Sequence, residues 1–131
     1  MRYLLGIDIG TTGARAVLVD EEGRLVASAT SEYPMFVPKP GWTEQEPEDW
    51  WRATREAIGE ALRQAGIRGS DVAAVGFTGQ MHGLVTLDEE GKVLRRCIMW
   101  NDQRTARPVS YTHLRAHETE ADLVCRLLLE K

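Results

Sequence analysis

The chain has 131 residues, enough for one domain or a piece of one, and its 43% hydrophobic and 27% charged content is ordinary for a globular protein. A formal net charge of −4 argues against a general nucleic-acid or anionic-membrane binder. No apolar run approaches the roughly 18–20 residues needed to span a bilayer, no secretory leader is apparent, and two isolated cysteines, Cys97 and Cys125, fit a reducing cytoplasm.

Two apolar runs open the chain and predict strands over 2–8 and 14–20. Between them lies a tight turn of Gly10, Thr11, Thr12 and Gly13, with Asp8 at the end of the first run. Successive N–H groups in such a turn form an anion-binding concavity. Glycine tolerates backbone angles closed to other residues and lets the main chain approach a ligand. The hydroxyls of Thr11 and Thr12 add donors, and each hydrogen bond to a charged group contributes roughly 1.5–3 kcal/mol. Asp8 repels phosphate, so its sensible task is to hold magnesium, usually through water. A plain hairpin is the simpler account of the turn alone. The patterns GxxxxGK[ST] and GxGxxG are both absent.

Asp20-Glu-Glu-Gly-Arg24 reads as a turn into a third strand over 25–33, completing an antiparallel meander. Pro34, Pro38 and Pro40 then break the pattern, and 42–46 is irregular and acidic. The strongest helix follows. Pro47 suits a first helical position, Glu48 and Asp49 favour a helix N-terminus, and Gly66 is a stop. Trp50, Ala53, Thr54, Ala57, Ile58, Ala61, Leu62 and Ala65 recur at helical spacing, with Trp50 read as core packing and Trp51 as a surface anchor. A compact buried strand over 72–77 runs into Thr78-Gly-Gln-Met-His-Gly83. Further strands are expected over 84–88 and 93–99, joined by Asp88-Glu-Glu-Gly-Lys92, which echoes the first turn. The order points to a mixed α/β sheet with an antiparallel edge. Taken alone, His82 reads as a structural loop histidine, and Trp100 to Arg104 as a capped turn.

Together the motifs become specific. Gly6-Ile-Asp-Ile-Gly-Thr-Thr12 resembles the first phosphate motif of the actin/Hsp70/sugar-kinase superfamily. Gly41-Trp-Thr-Glu-Gln-Glu-Pro-Glu-Asp-Trp-Trp51 resembles the segment before the first helix of the FGGY carbohydrate kinases. Gly79-Gln-Met-His-Gly83 and Trp100-Asn-Asp-Gln-Arg104 are similar to the xylulokinase-like branch. The resemblance covers about 3–108. It implies an RNase H-like fold, with an incomplete first domain at 1–108, and transfer of the γ-phosphoryl group of ATP to a sugar hydroxyl, D-xylulose giving D-xylulose 5-phosphate.

The resemblance also implies roles. Asp8 is the magnesium-linked carboxylate. Thr11, Thr12 and Gly13 meet the ATP phosphates, and Arg15 lies near them or is a plain strand residue. Gln80, Met81 and His82 face the sugar, where an imidazole can both donate and accept and a thioether packs on carbon. Asn101 and Asp102 help shape the same cleft. The partners implied are ATP, Mg2+ and a small sugar, with no nucleic acid or membrane, a cytoplasmic location, and a homodimer for a full-length member. The family's general base, an aspartate of a later domain, has no match here, so the chain alone is expected to be inactive. Gluconate, ribulose or glycerol kinases are alternatives, as is a non-enzymatic actin- or Hsp70-like ATP-binding module. Residues 109–131 fall outside the resemblance and are read as an assembly artefact resembling translated adapter sequence. His113 and His117, one helical turn apart there, lack a third ligand or an HExxH pattern.

Overall fold

The computed structural model describes residues 2–106. The segment 109–131, with His113, His117 and Cys125, lies outside the described residues. The strands and helix are β1 (Tyr3–Ile9), β2 (Gly13–Val19), β3 (Leu25–Glu32), the short β4 (Glu44–Gln45), helix α1 (Pro47–Ala65), β5 (Val72–Gly79) and the short β6 (Cys97–Ile98); β1, β2, β3 and α1 follow the sequence closely. The main sheet has the order β3-β2-β1-β5. Its first three strands form the expected antiparallel meander, and β5 joins β1 in parallel after the crossover through α1.

Helix α1 starts and stops where its residues dictate. Pro47 occupies its first turn with Glu48 and Asp49. Gly66 ends it at φ 65°, a left-handed angle that costs glycine nothing, and donates its N–H to the Arg63 carbonyl at 3.1 Å. The buried stripe of α1 is Ala53, Thr54, Ala57 and Ala61. These small side chains let the helix lie close on β2 and β3. There Ala16, Leu18, Ala27 and Ala29 meet it, joined by Leu5 of β1. The core is therefore tight and alanine-rich.

Alternation along the strands sends the next set of side chains to the opposite face. Thr30, Arg15, Asp8 and Thr78 stand in register across β3, β2, β1 and β5, and all four are exposed. Strand β5 forms the sheet edge and is exposed along nearly its whole length, with Val75 and Phe77 uncovered, where the sequence predicts a buried strand. An apolar run shows that a strand can be buried, and the covering layer must come from elsewhere in a fold.

The second predicted hairpin differs most. The stretches 84–88 and 93–99 form only the isolated bridges Leu84 with Ile98 and Leu87 with Val93. The backbone of β6 instead pairs with β4, within the acidic stretch expected to be irregular. Leu84, Leu87 and Leu94 stay exposed, so no packed face favours longer strands. The echo between the two turns is nevertheless structural. The Asp20 carboxylate accepts from the amides of Glu22 and Arg24 at 3.0 and 2.9 Å, and Asp88 does the same with Glu90 and Lys92 at 3.1 and 2.7 Å. Gly23 and Gly91 adopt φ of 78° and 80° at the matching position.

Candidate functional site

Strands β1 and β5 run parallel, so their C-terminal ends deliver the 10–13 turn and the 80–83 loop to one end of the sheet. The Gln80 amide donates to the Ile9 carbonyl at 3.0 Å, carrying the β1–β5 register into the loop.

The turn is held by its carbonyls. The Gly10 carbonyl accepts from the Tyr33 hydroxyl, that of Thr11 from Gln45 Nε2 at 2.6 Å, and that of Thr12 from the Tyr33 amide at 3.2 Å. The amides of Thr11 and Thr12 donate to no acceptor among the described residues. The carbonyls are thus tied inward while the donors are left for a ligand, as an anion site needs. Gly10 and Gly13 do not use the left-handed freedom expected of them; among the described glycines only Gly23, Gly41, Gly66 and Gly91 have positive φ. Gly13 is required for another reason. A Cβ there would stand 2.6 Å from the Ser31 carbonyl oxygen, so only glycine lets β2 pass β3 at this point.

Asp8 is exposed beside the turn, and no hydrogen bond or ion pair among the described residues engages its carboxylate. It lies close enough to Tyr33 for its charge to act there. Burial first, and the Asp8 charge second, push the Tyr33 hydroxyl up to about 12. Arg15 stands opposite Asp8 in the ladder without an ion pair to it, and its Nε donates to Thr30 Oγ1 at 3.3 Å.

After β5, Met81 and His82 are exposed. His82 takes a φ of 64°, the sole positive value at a non-glycine among the described residues. Such an angle is uncommon for a side chain with a Cβ and turns up at functional loops. Gly83 fits flat on Cys97, where a Cβ would stand 2.9 Å from Sγ. A cavity of about 250 Å³ opens beside this loop, lined by Ile9, Trp50, Gln80, His82, Val85 and Met99 among others. It offers apolar walls with a few polar groups, the usual make-up of a small-molecule site.

Asn101 and Asp102 do not line that cavity. The Asp102 carboxylate accepts from the Thr43 amide at 2.7 Å, the Arg104 amide at 2.9 Å, and Arg104 Nε and Nη2 at 2.8 Å each. The Arg104 side chain leads in holding the Asp102 carboxyl at about 2, and Arg104 is itself pushed up by Asp102 and Glu44. Arg104 and Arg95 share Glu44 Oε1, each at 2.8 Å, and the Arg104 guanidinium sits 4.0 Å over the Trp42 ring. Asn101 Oδ1 accepts from Thr43 Oγ1 at 2.8 Å. These residues lock the 99–104 segment onto β4.

The residue that sequence reasoning missed is Gln45. It is fully buried and touches three parts of the site. Its Nε2 holds the Thr11 carbonyl, and its Oε1 accepts from Trp50 Nε1 and Gln80 Nε2, both at 3.0 Å. The available signals were its place within the 41–51 motif and its position just before the helix-starting Pro47. Trp50, expected as core packing, is half-buried and also supplies a donor.

The sequence model for the FGGY family of carbohydrate kinases, N-terminal domain, matches residues 3–124. The chain is 42% identical over 105 residues to a xylulose kinase of Bacillus subtilis, covering 80% of this chain and 21% of that relative. It is also 42% identical over 108 residues to a glycerol kinase of Thermococcus gammatolerans, covering 82% and 22% respectively. Among solved structures, a ligand-bound xylulose kinase from Lactobacillus acidophilus superposes with a TM-score of 0.78 at 32% identity, covering 86% of this chain and 22% of that one. The chain therefore spans about a fifth of the length of these relatives. The mixed sheet is part of the actin/Hsp70-like sugar-kinase fold, as the motifs implied. By its matched domain, its relatives and its fold, the chain belongs to the FGGY family of carbohydrate kinases.

Proposed function

We propose that this chain forms the first half of a cleft in which an ATP-dependent kinase phosphorylates D-xylulose to D-xylulose 5-phosphate. The carrying observation is the turn whose carbonyls are tied inward and whose Thr11 and Thr12 amides stay free, beside the loop and cavity at the same end of β1 and β5.

The residues fit the groups that this reading requires. Thr11, Thr12 and Gly13 would hold ATP phosphates, with Arg15 adding positive charge along the row. Asp8 has an unengaged carboxylate, and no cluster of three or more metal-binding side chains exists among the described residues. That suits Mg2+, which binds through one or two carboxylates, waters and substrate phosphates rather than a protein cage. When bound, the ion would neutralise charge on the transferring phosphoryl group. Gln80, Met81 and His82 would meet the sugar. Asn101 and Asp102 would shape the cleft by fixing its 99–104 wall.

D-xylulose is favoured by the Gln80-Met81-His82 segment and by xylulose kinases among the similar proteins. A glycerol kinase at the same identity makes glycerol the competing substrate. No described helix is long and apolar enough to cross a membrane. Calorimetry of the purified chain tests the reading. D-xylulose is expected to bind in preference to glycerol, with no turnover when ATP and Mg2+ are added. Preference for glycerol would replace the substrate assignment, and robust turnover would overturn the half-cleft.

A further inference from the structure

We propose that Gln45 is a positioning residue that couples the 10–13 turn to the 80–83 loop, and that the Trp50 indole N–H fixes the polarity with which Gln80 meets a hydroxyl-bearing ligand. The ligand step rests on the sugar reading above; the coupling itself does not.

An indole N–H donates and never accepts. It points to one atom of the Gln45 amide at 3.0 Å, so that atom must be the carbonyl oxygen Oε1. The other end of Gln45 then presents Nε2 to the Thr11 carbonyl at 2.6 Å, a pure acceptor, and both ends agree on one orientation. Gln80 stands 3.0 Å from the same Oε1 and must offer its NH2 group. Turning either amide over would set oxygen against oxygen or N–H against N–H. The orientation is therefore dictated jointly by the helix indole and the Thr11 carbonyl, and passes through Gln45 to the loop.

A leftover group follows from this order. Gln80 Oε1 is buried and has no hydrogen-bond partner. Gln80 lines the cavity beside the loop, so a ligand that displaces the cover over this buried oxygen meets an acceptor whose complement is a donor such as a sugar hydroxyl. A carboxylate or a carbonyl would find the wrong polarity. Gln45 also grips the turn through Thr11, so movement of the turn reaches Gln80 through two hydrogen bonds and one fully buried side chain.

Nuclear magnetic resonance on the 15N-labelled chain tests this directly. Trp50→Phe keeps an aromatic ring and deletes the donor. The Gln80 side-chain NH2 signals are expected to shift, because the Gln45 Oε1 that accepts from them loses its second donor. Amides of the distant Asp20 turn should stay in place. Should that variant fail to fold, Gln80→Leu reads the same path from the exposed loop, with the Thr11 and Thr12 amides expected to move. Unchanged Gln80 signals in folded Trp50→Phe, or unmoved Thr11 and Thr12 amides in Gln80→Leu, would overturn the coupling. Titration with D-xylulose separates the two readings. Weaker binding to Trp50→Phe than to the parent chain supports the fixed polarity, and equal binding to both overturns it. Binding to neither, with the ligand-free shifts present, upholds the coupling and overturns the sugar reading.

Discussion

The Tyr33 hydroxyl donates to the Gly10 carbonyl, so the residue that follows β3 clamps the first residue of the turn after β1. Tyr33→Phe removes that bond and leaves the ring in place. We expect a loss of about 1 kcal/mol, the net worth of one neutral hydrogen bond, measured as a lower midpoint in urea. The pH dependence has a definite sign. The folded value of about 12 exceeds the ordinary 10.0, so the fold favours the protonated phenol. Its contribution is whole below pH 10 and falls as pH rises from about 10 to about 12. Tyr33→Phe should lose this part of the alkaline slope. An identical slope in both proteins would assign it to another group.

Two glycine-to-alanine changes should move stability in opposite directions. Gly13→Ala forces a methyl against the Ser31 carbonyl oxygen, which belongs to backbone and cannot swing away. It should cost about 1–3 kcal/mol, the range for overpacking a tight site. Gly59 lies inside α1 with nothing within 4 Å of an added Cβ, so Gly59→Ala should stabilise by about 0.5–1 kcal/mol. Thermal midpoints of both variants check the pair. A harmless Gly13→Ala would mean that β3 yields at this point.

The Asp102–Arg104–Glu44 group predicts acid sensitivity. Arg104 leads in lowering the Asp102 carboxyl from 3.8 to about 2, so this carboxylate contributes stability above about pH 4. That contribution drains away as pH falls through the interval down to about 2. Arg104→Met should lower stability at neutral pH by about 1.5–3 kcal/mol, the scale of a charge-assisted hydrogen bond, and flatten the acid limb. Urea titrations from pH 2 to 7 would show it. An acid limb as steep as the parent's would place the sensitivity elsewhere.

His82→Gly separates strain from recognition. Glycine accepts the φ of 64° freely, so the variant should match the parent or gain up to about 1 kcal/mol in stability. D-xylulose binding by calorimetry should nevertheless fall, because the imidazole is gone. A large loss of stability would show that His82 is held for packing alone.

The elements legible in sequence were those whose signals are local. The periodicity of α1, with Pro47 and Gly66 at its ends, and the glycine-threonine turn with its two strands are all seen within about a residue. The β4–β6 pairing was not legible, because it joins segments far apart in sequence and rests on two residues from each. Gln45 was missed for the same reason. The 41–51 motif contains Gln45 but does not single it out, and the three partners of Gln45 come from the turn, the helix and the loop. Asp102 is legible as part of a motif, but only the fold shows its oxygens held by Arg104 and Thr43.

The buried Cys97 thiol gives the protein an internal clock. Its Sγ lies under Gly83, and burial pushes the thiol up to about 11, so little reactive thiolate is present near neutral pH. Alkylation must wait until the 80–83 loop lifts or the domain opens. In a Cys125→Ser background, the rate of Cys97 labelling should therefore report loop opening on the cleft side, and a bound sugar should slow it.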